Sequence, residues 1–152
     1  ALPGDVVWIE RRDAKHLTGA FAVAGCDDRR VDVEKTFLLE EYQQGNYVIV
    51  GGDWNQSPYG FAPELPAHLY DTINLTYVEK DYPAAEWTWA FDPLLPTNRR
   101  VATPYDQSTS LTTVIDYYLL SPNVQMEEVK TIDLDFQHSD HQPVSLRVRL
   151  LP

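Results

Sequence analysis

The chain has 152 residues, 43% of them hydrophobic, with 12 Lys and Arg against 23 Asp and Glu. That length suits one domain, residues 1–152, with a real core, and that apolar share excludes a disordered chain. No apolar stretch approaches the ~20 residues that span a bilayer, and a net charge of −11 with no basic face excludes a protein that coats nucleic acid by charge alone.

In chain order, the start, Ala1-Leu2-Pro3-Gly4-Asp5, has neither the basic nor the apolar segment of a signal peptide, so none is expected. Val6-Val7-Trp8-Ile9 reads as a short strand. Cys26 stands alone, which leaves no internal disulfide framework and no cysteine zinc site. Asp32 to Gln44 carries Val33, Phe37, Leu38 and Tyr42 three to four residues apart, the stripe of an amphipathic helix that Gly45 stops. Tyr47 to Val50 is a continuous apolar run typical of a buried strand. Gly51-Gly52 is expected to end it and to turn the backbone sharply, leaving Asp53 and Asn55 on a loop.

Residues 56–70, with Pro58, Gly60, Pro63 and Pro66, read as loop. Asn74 to Val78 and Trp87 to Phe91 are candidate strands. Residues 92–110, rich in Pro, Thr, Ser and Asn, read as a long loop. Thr112 to Leu120 reads as one strand, ended by the turn Ser121-Pro122-Asn123. Val124 to Asp133 is a candidate partner strand. Ser139-Asp140-His141 forms a loop before a last strand, Pro143 to Leu150, in which Val144, Leu146, Val148 and Leu150 alternate with Ser145, Arg147 and Arg149.

Three islands put a carboxylate at or beside the end of an apolar run: Tyr47 to Asn55 with Gly51-Gly52-Asp53-Trp54-Asn55 at its end, Val114 to Leu120 around Asp116, and Ser139 to Val144 opening on Ser139-Asp140-His141. Their acids, amide and imidazole suit a divalent metal and a phosphate ester. A bound ion would reverse the local field, so the acidic balance does not exclude an enzyme that holds one phosphodiester through a metal. In this reading Asp53 accepts a proton from water or fixes the water for attack. Asn55 donates to phosphoryl oxygens or helps to hold the metal. The simpler reading is that Asp53 and Asn55 cap a turn by bonding their own backbone. Asp140 and His141 could form a ligand beside an imidazole that touches phosphate, or only a surface turn. Asp116 interrupts an apolar strand and needs a partner. Trp87, Trp89 and Phe91 read as core, Arg99-Arg100 as a solvated pair within reach of a substrate phosphate, and His138 as a bystander.

Taken in order, Gly52-Asp53-Trp54-Asn55, Ile115-Asp116-Tyr117 and Ser139-Asp140-His141 resemble the endonuclease/exonuclease/phosphatase superfamily, the fold of DNase I and of exonuclease III. The resemblance covers residues 33–150. It implies an α/β fold: a DNase I-like sandwich of two mixed or antiparallel β-sheets flanked by helices. It also implies magnesium- or manganese-dependent hydrolysis of a phosphoester, with nucleic acid, a phospholipid head group or an inositol phosphate as substrate. By analogy Asp53 activates the water and is a metal ligand, Asn55 steadies the phosphate, and Asp140 is a metal ligand or the partner of a histidine. His141 acts near the phosphate in a dyad with a carboxylate, and Asp116 supports that end of the site. His16, in Lys15-His16-Leu17-Thr18, is the candidate for an upstream family histidine.

The family's first half supplies an early Asn and a Gln-Glu pair whose Glu binds metal. Neither is found here; Glu10 follows Val6 to Ile9 with no Gln before it. The chain therefore reads as the second half of such a domain, incomplete on its N-terminal side. Two other classes are open: a non-catalytic interaction module that keeps the fold, and a carbohydrate-binding β-sandwich that stacks sugars on Trp87 and Trp89.

Overall fold

The computed structural model describes residues 6–10, 20–21, 28–62, 75–102 and 104–152. His16 and Cys26 lie outside the described residues. The elements are β1 (Val6–Glu10), β2 (Ala20–Phe21), α1 (Asp28–Gln43), β3 (Tyr47–Asp53), β4 (Thr88–Ala90), β5 (Asn98–Arg99), β6 (Thr112–Thr113), β7 (Asp116–Leu120), β8 (Val124–Thr131) and β9 (Val144–Leu150). The chain is mixed α/β. One five-stranded antiparallel sheet runs β2-β1-β3-β7-β4, beside two two-stranded antiparallel sheets, β5-β6 and β8-β9.

Strand alternation divides the core between the two faces of the large sheet. Val48, Val50 and Leu119 face the helix and bury Leu38, with Tyr82 and Trp87 closing that layer. Tyr47, Ile49, Tyr118 and Leu120 turn the other way and pack on Leu146 and Val148 of the β8-β9 hairpin. The last strand keeps its expected alternation up to residue 149, with 144, 146 and 148 half-buried and 145, 147 and 149 exposed, but Leu150, expected inward, is exposed at the strand's end. Gly45 ends the helix region with φ +83°, a left-handed position that its missing Cβ tolerates.

Four expectations are corrected. Gly51-Gly52 does not end the third strand: β3 continues through both glycines to Asp53, paired with β7 from Ile49 to Asp53. Gly51 is there for space, since a Cβ on it would lie 2.5 Å from the Tyr118 ring. The expected strand Thr112 to Leu120 breaks at Val114-Ile115, because the Thr97 hydroxyl oxygen accepts both the Ile115 N–H (3.0 Å) and the Asp116 N–H (2.9 Å). The long loop of residues 92–110 contains β5, whose two residues pair with β6. Around Asn74 to Val78 the described residues form a single parallel bridge, Ser57 to Tyr77, and no strand.

Candidate functional site

The site lies where the C-terminal end of β3 meets the N-terminal end of β7. Register places Asp53 directly opposite Asp116, and alternation turns both towards the face that carries the hairpin. Just beyond β3, the Trp54 N–H donates to Ile115 O at 2.8 Å, and its indole donates to Tyr117 O at 3.1 Å while stacking on the Tyr117 ring. Asn55 then sits at φ +52°, a left-handed position that Asn adopts more readily than most residues. From there its backbone N–H reaches Asp53 Oδ1 at 2.8 Å and its amide reaches Asp53 Oδ2 at 3.3 Å. The turn-capping contacts thus form, on a carboxylate held at the mouth of the cluster.

The third island arrives from the loop before β9. Gln142 is buried and fastens that loop: its N–H donates to Thr97 O (2.7 Å), its amide to Pro96 O (3.0 Å), and its Oε1 accepts from Leu134 N–H (2.6 Å). The Tyr118 hydroxyl donates to Val144 O at 2.9 Å, so the ring that covers Gly51 also ties down the start of β9. Ser139 Oγ accepts the His141 N–H at 3.0 Å. With its backbone fixed, the His141 ring meets Asp116, Nδ1 lying 2.9 Å from Oδ2. Of the two roles open to Asp140, partner of the histidine falls to Asp116 instead.

Charge follows geometry. The hydrogen bond to Asp116 pushes the His141 pKa up, burial opposes it, and the charges of Asp116, Asp53 and Asp140 add to the rise. Burial first, opposed by the Asn55 N–H and reinforced by the facing Asp116, pushes the Asp53 carboxyl up as well. The charges of Asp116, Asp53 and Asp140 therefore all bear on the one imidazole, and those of Asp116 and His141 on Asp53.

Two contributors had no signal in the sequence. Thr97 holds the backbone of Asp116, and Asn98 bridges to His141, its amide nitrogen 3.2 Å from Nε2. Both sit in a segment whose composition reads as loop, and only their register with residues 113 and 141 exposes them. The Asn98 contact works against a second proton on the ring, because a proton on Nε2 would meet the amide hydrogens. Arg99 follows on the opposite side of the short strand, with its Nη1 donating to Arg100 O. His138 is exposed. Trp87 is buried, and Trp89 packs against Trp54, Tyr82 and Tyr117. Trp87 is thus buried and Trp89 half-buried, so the two are not the exposed pair that the carbohydrate reading calls for.

Comparison of the chain with protein-family models, curated proteins and solved structures found no match.

Proposed function

We propose that this chain carries the phosphate-handling half of a divalent-metal-dependent phosphoesterase with a DNase I-like architecture. The observation that supports it is the meeting of three distant islands: Asp53 opposite Asp116, and His141 on Asp116 at 2.9 Å. The described fold agrees at the coarse level, a mixed α/β chain with a helix on one face of a sheet and a strand pair on the other.

The donor set decides how a metal would bind. Among the described residues no group of three His, Cys, Asp or Glu forms a ready cage. Magnesium does not require one, since it commonly binds through one or two carboxylates and keeps waters and substrate oxygens as its other ligands. Asp53 and Asp140 are the carboxylates that would hold it, and both already bear on the same ring. The raised Asp53 pKa, caused by burial and the facing Asp116, marks negative charge that a cation would relieve. When bound, the metal would neutralise non-bridging oxygens and stabilise the leaving oxygen.

The chain's own residues supply the rest. Asp53 orients the attacking water and can take its proton, a task that a raised carboxyl pKa favours. Asn55 holds Asp53 in place from two directions and turns its amide towards the same mouth. His141, anchored through Nδ1, gives a phosphate oxygen a hydrogen bond from Nε2 only when the ring is doubly protonated, the form that its raised pKa favours. Thr97 keeps Asp116 from drifting along the strand.

Intact protein assayed with magnesium or manganese against DNA, inositol phosphates, phospholipid head-group esters and a chromogenic phosphodiester is expected to hydrolyse at least one. Asp53→Ala and His141→Ala should each lower turnover at least about a hundredfold. Wild-type turnover in either variant refutes the assignment. The absence of a three-ligand group among the described residues favours the second reading, a non-catalytic interaction module. That reading requires no thermal shift on magnesium titration, whereas the phosphoesterase requires one.

A further inference from the structure

The His141 ring is held from both sides, and the second side has a direction. The Asn98 amide nitrogen lies 3.2 Å from Asp140 O and 3.2 Å from His141 Nε2. A carbonyl oxygen only accepts, so the NH2 end of the amide must face Asp140; turning the amide would set two oxygens against each other. The second amide hydrogen then points at Nε2, which must accept it and so carries no proton. The ring hydrogen is left on Nδ1, where Asp116 Oδ2 stands 2.9 Å away to receive it. Each contact forces the next: Asp140 O orients Asn98, Asn98 selects the bare Nε2, and the bare Nε2 selects Nδ1–H facing Asp116.

The backbone makes this alignment rigid. Asn98 and His141 form an antiparallel bridge, the Arg99 N–H donates to Asp140 O at 2.9 Å, and the Gln142 N–H donates to Thr97 O at 2.7 Å. The two residues are thus clamped on either side of the contact, and the side chains meet without any loop rearrangement.

We propose that Asn98 is a positioning residue: it holds the neutral His141 ring in one orientation and one tautomer, with the Nε2 lone pair on its amide. In its neutral form His141 is therefore a hydrogen-bond acceptor at Nε2. A hydroxyl arriving there replaces one long contact, 3.2 Å, and finds a ring already set by Asp116. The catalytic consequence rests on the phosphoesterase reading; the tautomer does not.

The test uses the full chain labelled with 15N, at alkaline pH where the ring is neutral. Two-bond imidazole correlations should show His141 as the Nδ1–H tautomer alone, and Asn98→Ala should shift the Nε2 resonance while circular dichroism stays unchanged. In the kinetic arm, Asn98→Ala should lower kcat about tenfold with KM nearly constant, the scale of one lost orienting hydrogen bond. Asn98→Asp keeps the shape but exchanges donor for acceptor, and should fall at least as far. A wild-type ring protonated on Nε2, an Nε2 resonance indifferent to Asn98→Ala, or wild-type turnover in Asn98→Asp each overturns the proposal. A chain inert towards every phosphoester sinks the functional reading alone, and the resonance arm still decides the role of Asn98.

Discussion

Asp116 with His141, and Glu127 with Arg149, are both acid–base pairs between neighbouring segments, at 2.9 and 2.6 Å. Their surroundings differ. In the first pair the side chains are 17% and 33% exposed, and in the second 28% and 66%. The backbone of Asp116 is held by the Thr97 hydroxyl and the His141 ring by the Asn98 amide, so neither can leave without breaking a second bond. Glu127 is approached by Arg147 and Arg149, and Glu128 by Arg147 and Lys130, a loose ladder along a hairpin whose outer face is wet. Contacts of similar length therefore carry different meanings. A charge seated among oriented dipoles has a fixed direction and can do chemistry; a charge on long, hydrated arms mainly confers solubility.

The largest expected effect on stability comes at the scaffold of the site. In Gly51→Ala the new methyl meets the Tyr118 ring at 2.5 Å, and that ring cannot swing aside without giving up its bond to Val144 O. The change should destabilise the protein by roughly 1–3 kcal/mol in urea melts, the usual cost of overpacking. A loss below a few tenths would mean that the ring has room, and the claim of a rigid site would fall with it.

Much of the scaffold was legible in the sequence because its cause is local. The apolar run at residues 47–50, the stripe at 33, 37, 38 and 42, and the alternation from 144 to 150 each announce their own element. What stayed hidden is tertiary. Gly51-Gly52 looks like a terminator, and only the Tyr118 ring one strand away explains why a glycine sits inside β3. The Thr97 hydroxyl splits what reads as one strand into β6 and β7. The three acidic islands were visible and do converge, but the identity of the histidine's partner was not: Asp140 is adjacent in sequence, whereas register delivers Asp116.

A smaller effect separates the two pairs by pH. A histidine whose folded pKa lies above its unfolded value adds stability that is complete below the unfolded pKa and is lost as pH rises through the folded one. The His141 pKa is raised from 6.5 by its bond to Asp116. Stability should therefore decline as pH climbs upward from about 6.5, and that decline should vanish in His141→Gln. A flat profile in the wild type over this window would show that Asp116 contributes no more to His141 than solvent does.

The smallest effect is expected on the hairpin. Arg149→Ala removes two contacts to Glu127 Oε1, at 2.9 and 2.6 Å, from an arm that is mostly in water. Arg147 remains beside Glu127, so no carboxylate is left stranded. The cost should be at most about 1 kcal/mol, fading as salt is added, because exposed pairs are screened and their side chains regain freedom when released. Turnover should not change. A salt-insensitive loss well above that size would place the Glu127–Arg149 pair with Asp116–His141 after all, and the hairpin would then have to be treated as part of the framework that seats β9 and its histidine.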